Sequence, residues 1–164
     1  MPRQPLSEAQ AADKLAALCA ASEHCRQEIV DKCKAWGLSP EEADRVAERL
    51  VKERFVDDSR FATLYVRDKA RFAGWGPVKV RMQLRAKGID DQTADDAIRA
   101  LDKSEWHDIL LHALRQKLRA TRKDDPHKLI ASLVRFALQR GFDYAAIRQA
   151  LDTMTIAPPD NDDF

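Results

Sequence analysis

Apolar residues recur three and four positions apart almost from end to end of this chain, which is the spacing of one face of an α-helix. Capping residues and glycines divide that pattern into nine short helices. Ser7 caps the first, with Leu15 and Leu18 facing inward. Ser22 precedes the second, whose inner face is Ile29, Val30 and Cys33. Ser39-Pro40-Glu41-Glu42 starts the third, with Ser39 as cap, Pro40 in the first helical position and Glu42 completing a capping box. Asp57 or Asp58 opens the fourth, which carries Phe61, Leu64, Tyr65 and Phe72 as core candidates. The break Gly74-Trp75-Gly76-Pro77 follows, and Pro77 opens the fifth. Asp90, Ser104, Asp125 and Asp143 cap the last four.

The helices repeat. Gly37, Gly88 and Gly141 lie 51 and 53 residues apart, and each suits the left-handed position that ends a helix. Each is followed by an apolar residue: Leu38, Ile89 and Phe142. Matching apolar columns run through Ile29, Val80 and Leu133, then Ala43, Ala94 and Ile147, then Ala47, Ile98 and Leu151, then Leu50, Leu101 and Met154. The pattern predicts an all-α protein of three tandem three-helix repeats. Their expected bounds are residues 1–54, 55–103 and 104–155, with a flexible acidic tail over 156–164. Units this small have thin cores, and a row of them would form an elongated or curved body.

Charge changes that picture by marking a surface. The net charge of +1 hides a middle segment, residues 67–140, at +7, between ends at −2 and −4. Over residues 67–87, Arg67, Lys69, Arg71, Lys79, Arg81, Arg85 and Lys87 face a single acid, Asp68. Such a concentration implies an anionic partner, nucleic acid or an acidic protein groove. Arg81 and Arg85 share one face of the fifth helix, while Val80 and Leu84 share the adjoining inward face. Trp75, within the same cluster, reads first as a packing residue at the turn and second as a stacking platform. Arg115, Lys117, Arg119, Arg122 and Lys123 form a second basic cluster.

Little in the sequence points to catalysis. No phosphate-binding Gly-x-x-x-x-Gly-Lys-Ser/Thr loop occurs. The acidic pairs at 57–58, 90–91 and 124–125 stand at helix starts, where carboxylates cap free amides and meet the positive end of the dipole. Cys19, Cys25 and Cys33 have no Cys-x-x-Cys spacing. His24 and Cys25 are neighbours whose side chains diverge by about 100° on a helix, too far to share an ion. The expectation is no metal, no cofactor and no enzymatic activity. No apolar run approaches the roughly 18 residues that span a membrane, and the first residues lack the apolar stretch of a secretory signal. A cytoplasmic monomer is the simplest expectation.

The motifs Phe55-Val56-Asp57-Asp58-x-Arg60-Phe61-Ala62, Tyr65-Val66, Gly74-Trp75-Gly76-Pro77-x-Lys79-Val80 and Leu84-x-x-Lys87-Gly88-Ile89 resemble those of the RecX family, regulators of the RecA recombinase. Ser22-Glu23-His24-Cys25-x-x-Glu28-Ile29 is similar to the family's signature in its first repeat. Cys25 stands where many members have Ser, and the third repeat has a long first helix and a linker near Thr121–Asp125. The resemblance covers about residues 10–154 and implies three three-helix units. It also implies binding to the RecA filament on single-stranded DNA, inhibition of ATP hydrolysis and strand exchange in recombination and repair, and a position in the filament groove. A further expected partner is single-stranded DNA itself, bound weakly and in a salt-dependent way. Two rival readings rest on the residues alone: a helix-turn-helix module that acts on nucleic acid directly, and a scaffold that touches only protein.

Overall fold

A computed structural model describes residues 4–122 and 124–154. Among them are nine α-helices and no strand. In chain order these are α1 (Glu8–Ala21), α2 (Arg26–Ala35), α3 (Pro40–Lys52), α4 (Asp58–Arg71), α5 (Pro77–Ala86), α6 (Asp91–Arg99), α7 (Lys103–Ala120), α8 (Pro126–Gln139) and α9 (Tyr144–Thr153).

Local chemistry sets most of the helix starts. Ser7 and Ser39 each form a capping box, with Gln10 and Glu42 as the reciprocal residues. Asp143 accepts from the Ala146 amide, and Asp125 from that of His127. Two expected caps lie elsewhere. Ser22 closes α1 instead of opening α2, whose N-cap is Cys25. Ser104 lies inside α7, behind the N-cap Asp102, to whose carboxylate its hydroxyl donates.

Cys25 offers α2 no side-chain cap. Asp58, from the next repeat, accepts from the Arg26 amide at 2.8 Å instead. Its neighbour Asp57 accepts from the Arg60 amide at 3.0 Å and so caps its own helix. The acidic pair thus caps two different helices.

The three glycine stops are the same structure repeated. Gly37, Gly88 and Gly141 have φ of 91°, 76° and 94°. In each, the glycine amide donates three residues back and the next amide five residues back: to Lys34 and Cys33, to Arg85 and Leu84, and to Leu138 and Ala137. This is the Schellman arrangement, which satisfies carbonyls at the helix end. The residue after each glycine (Leu38, Ile89, Phe142) is buried.

The repeat columns supply the core. Ile29, Val80 and Leu133 are fully buried, and Ala43, Ala47, Leu50, Ala94, Leu101, Ile147 and Leu151 are buried. Ile98 and Met154 are half-buried. Met154 is the C-cap of α9. Contacts divide the chain into two compact units. One comprises the chain up to Leu64 with Leu84–Asp95; the other comprises Tyr65–Gln83 and the chain from Asp96. The first unit is built on Ala11, Leu15, Ile29, Cys33, Val46 and Leu50 from α1, α2 and α3. The second is built on Leu110, Leu114, Leu133, Phe142, Ile147 and Leu151 from α7, α8, α9 and the α8–α9 turn.

Three expected core residues are not in a core. Leu18 is 39% exposed, Leu64 39% and Phe72 86%. The buried stripe of α4 runs through Phe61, Ala62, Val66 and Ala70. Leu64 points away from that stripe, and Phe72 follows the last helical residue, where the chain turns off.

Candidate partner-binding surface

The Gly74–Pro77 turn is pinned by backbone. Gly76 donates to the Arg140 carbonyl at 2.7 Å, and Val78 donates to the Gly141 carbonyl at 2.9 Å. The Arg140 guanidinium returns a bond to the Ala73 carbonyl at 2.8 Å. A Cβ at Gly76 would lie 2.4 Å from the Gly141 oxygen, so the close approach requires glycine.

Trp75 is half-buried on this turn, and its amide donates to the Lys69 carbonyl at 3.0 Å. The ammonium groups of Lys69 and Lys79 lie 4.8 Å and 4.5 Å from its ring centre. That is cation–π range. Lys69 also lies 5.5 Å from the Tyr65 ring. Trp75 thus packs at the turn and carries two ammonium groups over its ring.

Other cations of the cluster are answered by acids, two of them remote in sequence. Arg71 bonds Glu105 at 2.6 Å and holds that carboxyl below its usual range. Arg85 makes a forked pair with Asp91 at 3.2 Å and 2.8 Å. Lys87 reaches Glu28 at 3.2 Å and lies 5.9 Å from the Phe61 ring. Burial works against the Glu28 charge, but hydrogen bonds from His24 and Lys87 outweigh it and leave the carboxyl below its ordinary value. Arg67 is exposed and Arg81 half-buried. Arg67, Lys69, Arg71, Trp75, Lys79 and Arg81 belong to the second unit, while Arg85 and Lys87 belong to the first.

In the second cluster, Arg115, Arg119 and Arg122 are exposed. Lys117 lies 5.4 Å from the Phe136 ring, and the Arg140 guanidinium 5.0 Å from the same ring. Lys123 lies outside the described residues. A groove of about 650 Å³ beside this cluster is lined by Phe72, Glu105, His112, Lys117, Phe136 and Arg140, among others. Sequence pattern missed Phe136 and Arg140, and their only signal was proximity to the third glycine stop.

The acidic pairs cap helices, Asp90 accepting from the Thr93 amide at 2.8 Å. Burial pushes the Cys25 thiol up to about 11, so at neutral pH it stays protonated. Among the described residues, no group of three or more His, Cys, Asp or Glu side chains could hold a metal ion. Nor is any described helix long and apolar enough to cross a membrane.

These features define an all-helical protein of tandem three-helix repeats that presents ordered cations around an aromatic turn. Its relatives carry the same architecture. The description "RecX, second three-helix domain" matches residues 57–98, and "RecX, third three-helix domain" matches residues 104–151. The chain is 36% identical over 132 residues to the Regulatory protein RecX of Prosthecochloris aestuarii, covering 80% of this chain and 85% of that one. It is 29% identical over 144 residues to the Regulatory protein RecX of Chromohalobacter salexigens, covering 88% and 92%. The crystal structure of RecX from Lactobacillus salivarius superposes with a TM-score of 0.82 at 18% identity, covering 92% of this chain and 98% of that chain. The chain belongs to the RecX family of regulatory proteins.

Proposed function

We propose that this protein binds the RecA recombinase filament on single-stranded DNA and lowers its ATP hydrolysis and strand exchange during recombination and repair. It acts by binding and not by catalysis, as a cytoplasmic monomer, without a cofactor. Family membership supports the partner. The observation that carries the choice of surface is the Lys69–Trp75–Lys79 cluster. Arg71, Arg85 and Lys87 have carboxylates to answer them, whereas Lys69 and Lys79 carry their charges over an indole. An ammonium held over an aromatic ring keeps its ability to attract an incoming carboxylate or phosphate, and its position is set in advance. Arg67 and the cluster Arg115, Lys117, Arg119 and Arg122 extend the basic surface around it.

Charge reversal at Lys69 and Lys79 tests it. The double variant is titrated against pre-formed RecA filaments and against bare single-stranded DNA over a range of salt. The expected result is weaker filament binding and a smaller reduction of RecA ATP hydrolysis, with the largest loss at low salt. A parallel loss on bare DNA with a shallower salt slope assigns the cluster to phosphate. Unchanged DNA binding with weaker filament binding assigns it to acidic protein. Wild-type behaviour on both targets refutes the surface, and failure of the unaltered protein to slow RecA refutes the function.

A further inference from the structure

In two repeats the glycine stop of the second helix is a docking point for the start of another helix. The start of α5 seats on the end of α8, where Gly76 and Val78 donate to Arg140 and Gly141. A Cβ on Gly141 would meet the Lys79 backbone nitrogen at 2.6 Å. The start of α2 seats on the end of α5, where the Cys25 thiol approaches the Lys87 carbonyl at 3.8 Å. A Cβ on Gly88 would meet Gln27 at 3.4 Å. In the first repeat the same stop, Trp36–Gly37 at the end of α2, faces a segment of extended chain and not a helix start.

The chain fills it with Gln4–Leu6. A Cβ on Gly37 would lie 3.0 Å from Pro5, the only residue among those described that it would meet within contact distance. Leu6 and Trp36 both pack on the first core. Lys14 lies 5.2 Å from the Trp36 ring centre. A surface cavity of about 730 Å³ lined by Gln4, Pro5, Leu6, Lys14, Trp36 and Gly37 runs beside the contact. Proline at the opening of α5 and proline at position 5 therefore stand at comparable stops, and proline suits both because it is pre-organised and needs no amide partner.

We infer that the Trp36–Gly37 notch is a binding site for a proline-led segment, and that Gln4–Leu6 is its built-in occupant. The segment covers the glycine stop of the first repeat, as the starts of α2 and α5 cover the other two. The site is distinct from the basic cluster and does not depend on the proposed partner.

Backbone amide exchange in the full chain and in a chain lacking residues 1–6 tests the assignment. Removing the segment is expected to speed exchange at Gly37 and Leu38 by about tenfold or more, with Gly88, Ile89, Gly141 and Phe142 little changed. A peptide of residues 1–6 added at millimolar concentration should restore protection, and the same peptide with glycine at the fifth position should restore less. The Pro5→Glu variant of the full chain carries the same readout if the shortened chain does not fold. Unchanged exchange at Gly37, an equal loss at all three glycine stops, or equal rescue by both peptides would overturn the inference.

Discussion

Gly76 and Gly141 lie backbone against backbone, so that a Cβ placed on Gly76 would sit 2.4 Å from the Gly141 oxygen. One glycine opens a helix and the other ends one, 65 positions apart in the chain. Each is needed for a different reason. Gly141 has a φ of 94°, which side chains rarely adopt, whereas Gly76 has no positive φ and is required by space alone.

That difference makes glycine replacements graded. Gly141→Ala combines left-handed strain of about 1–2 kcal/mol with a clash against the Lys79 backbone. Gly76→Ala meets only the clash, and Gly74→Ala, whose nearest neighbour is the Arg140 guanidinium at 3.5 Å, meets only the strain of its φ of 67°. Urea unfolding should rank Gly141→Ala as the most destabilising and Gly74→Ala at about 1 kcal/mol. Equal effects at 74 and 141 would contradict the close approach.

The core columns predict a second ranking. Leu133 is fully buried and Leu101 is 7% exposed, while Met154 is half-buried at the end of α9. Leu133→Ala and Leu101→Ala should each cost about 2–5 kcal/mol, and Met154→Ala distinctly less. Thermal or denaturant unfolding of the three variants measures this directly.

The acidic pair offers a test of division of labour. Asp58→Ala uncaps α2 and Asp57→Ala uncaps α4, each at about 0.5–2 kcal/mol. Amide exchange should separate them, with Arg26 losing protection in the first variant and Arg60 in the second.

Acid should weaken the first unit through Glu28. Its carboxyl is held below the ordinary 4.5 by hydrogen bonds from His24 and Lys87, against the opposing effect of burial. A depressed carboxylate contributes stability that is fully present above the unfolded value and is lost as pH falls through the folded one. Stability should therefore decline below about pH 4.5, and Glu28→Gln should make that decline shallower. Unfolding curves at a series of pH values provide the comparison.

What the sequence alone determined is what neighbours along the chain decide. Helix periodicity, the capping boxes at Ser7 and Ser39, and the glycine stops at 37, 88 and 141 all depend on backbone groups within about one helical turn. The motif from Phe55 to Ile89 also identified the family, because it lies unbroken in the chain. Tertiary structure decided which carboxylates meet the cations of the cluster. Arg71 meets Glu105 34 positions away and Lys87 meets Glu28 59 positions away, so a count of charges over residues 67–87 could not see their neutralisation. It decided likewise that Phe72, just past the end of α4, lies exposed while Phe61, on α4, is buried. Helical spacing assigns a residue to a face, but only packing decides whether another element covers it.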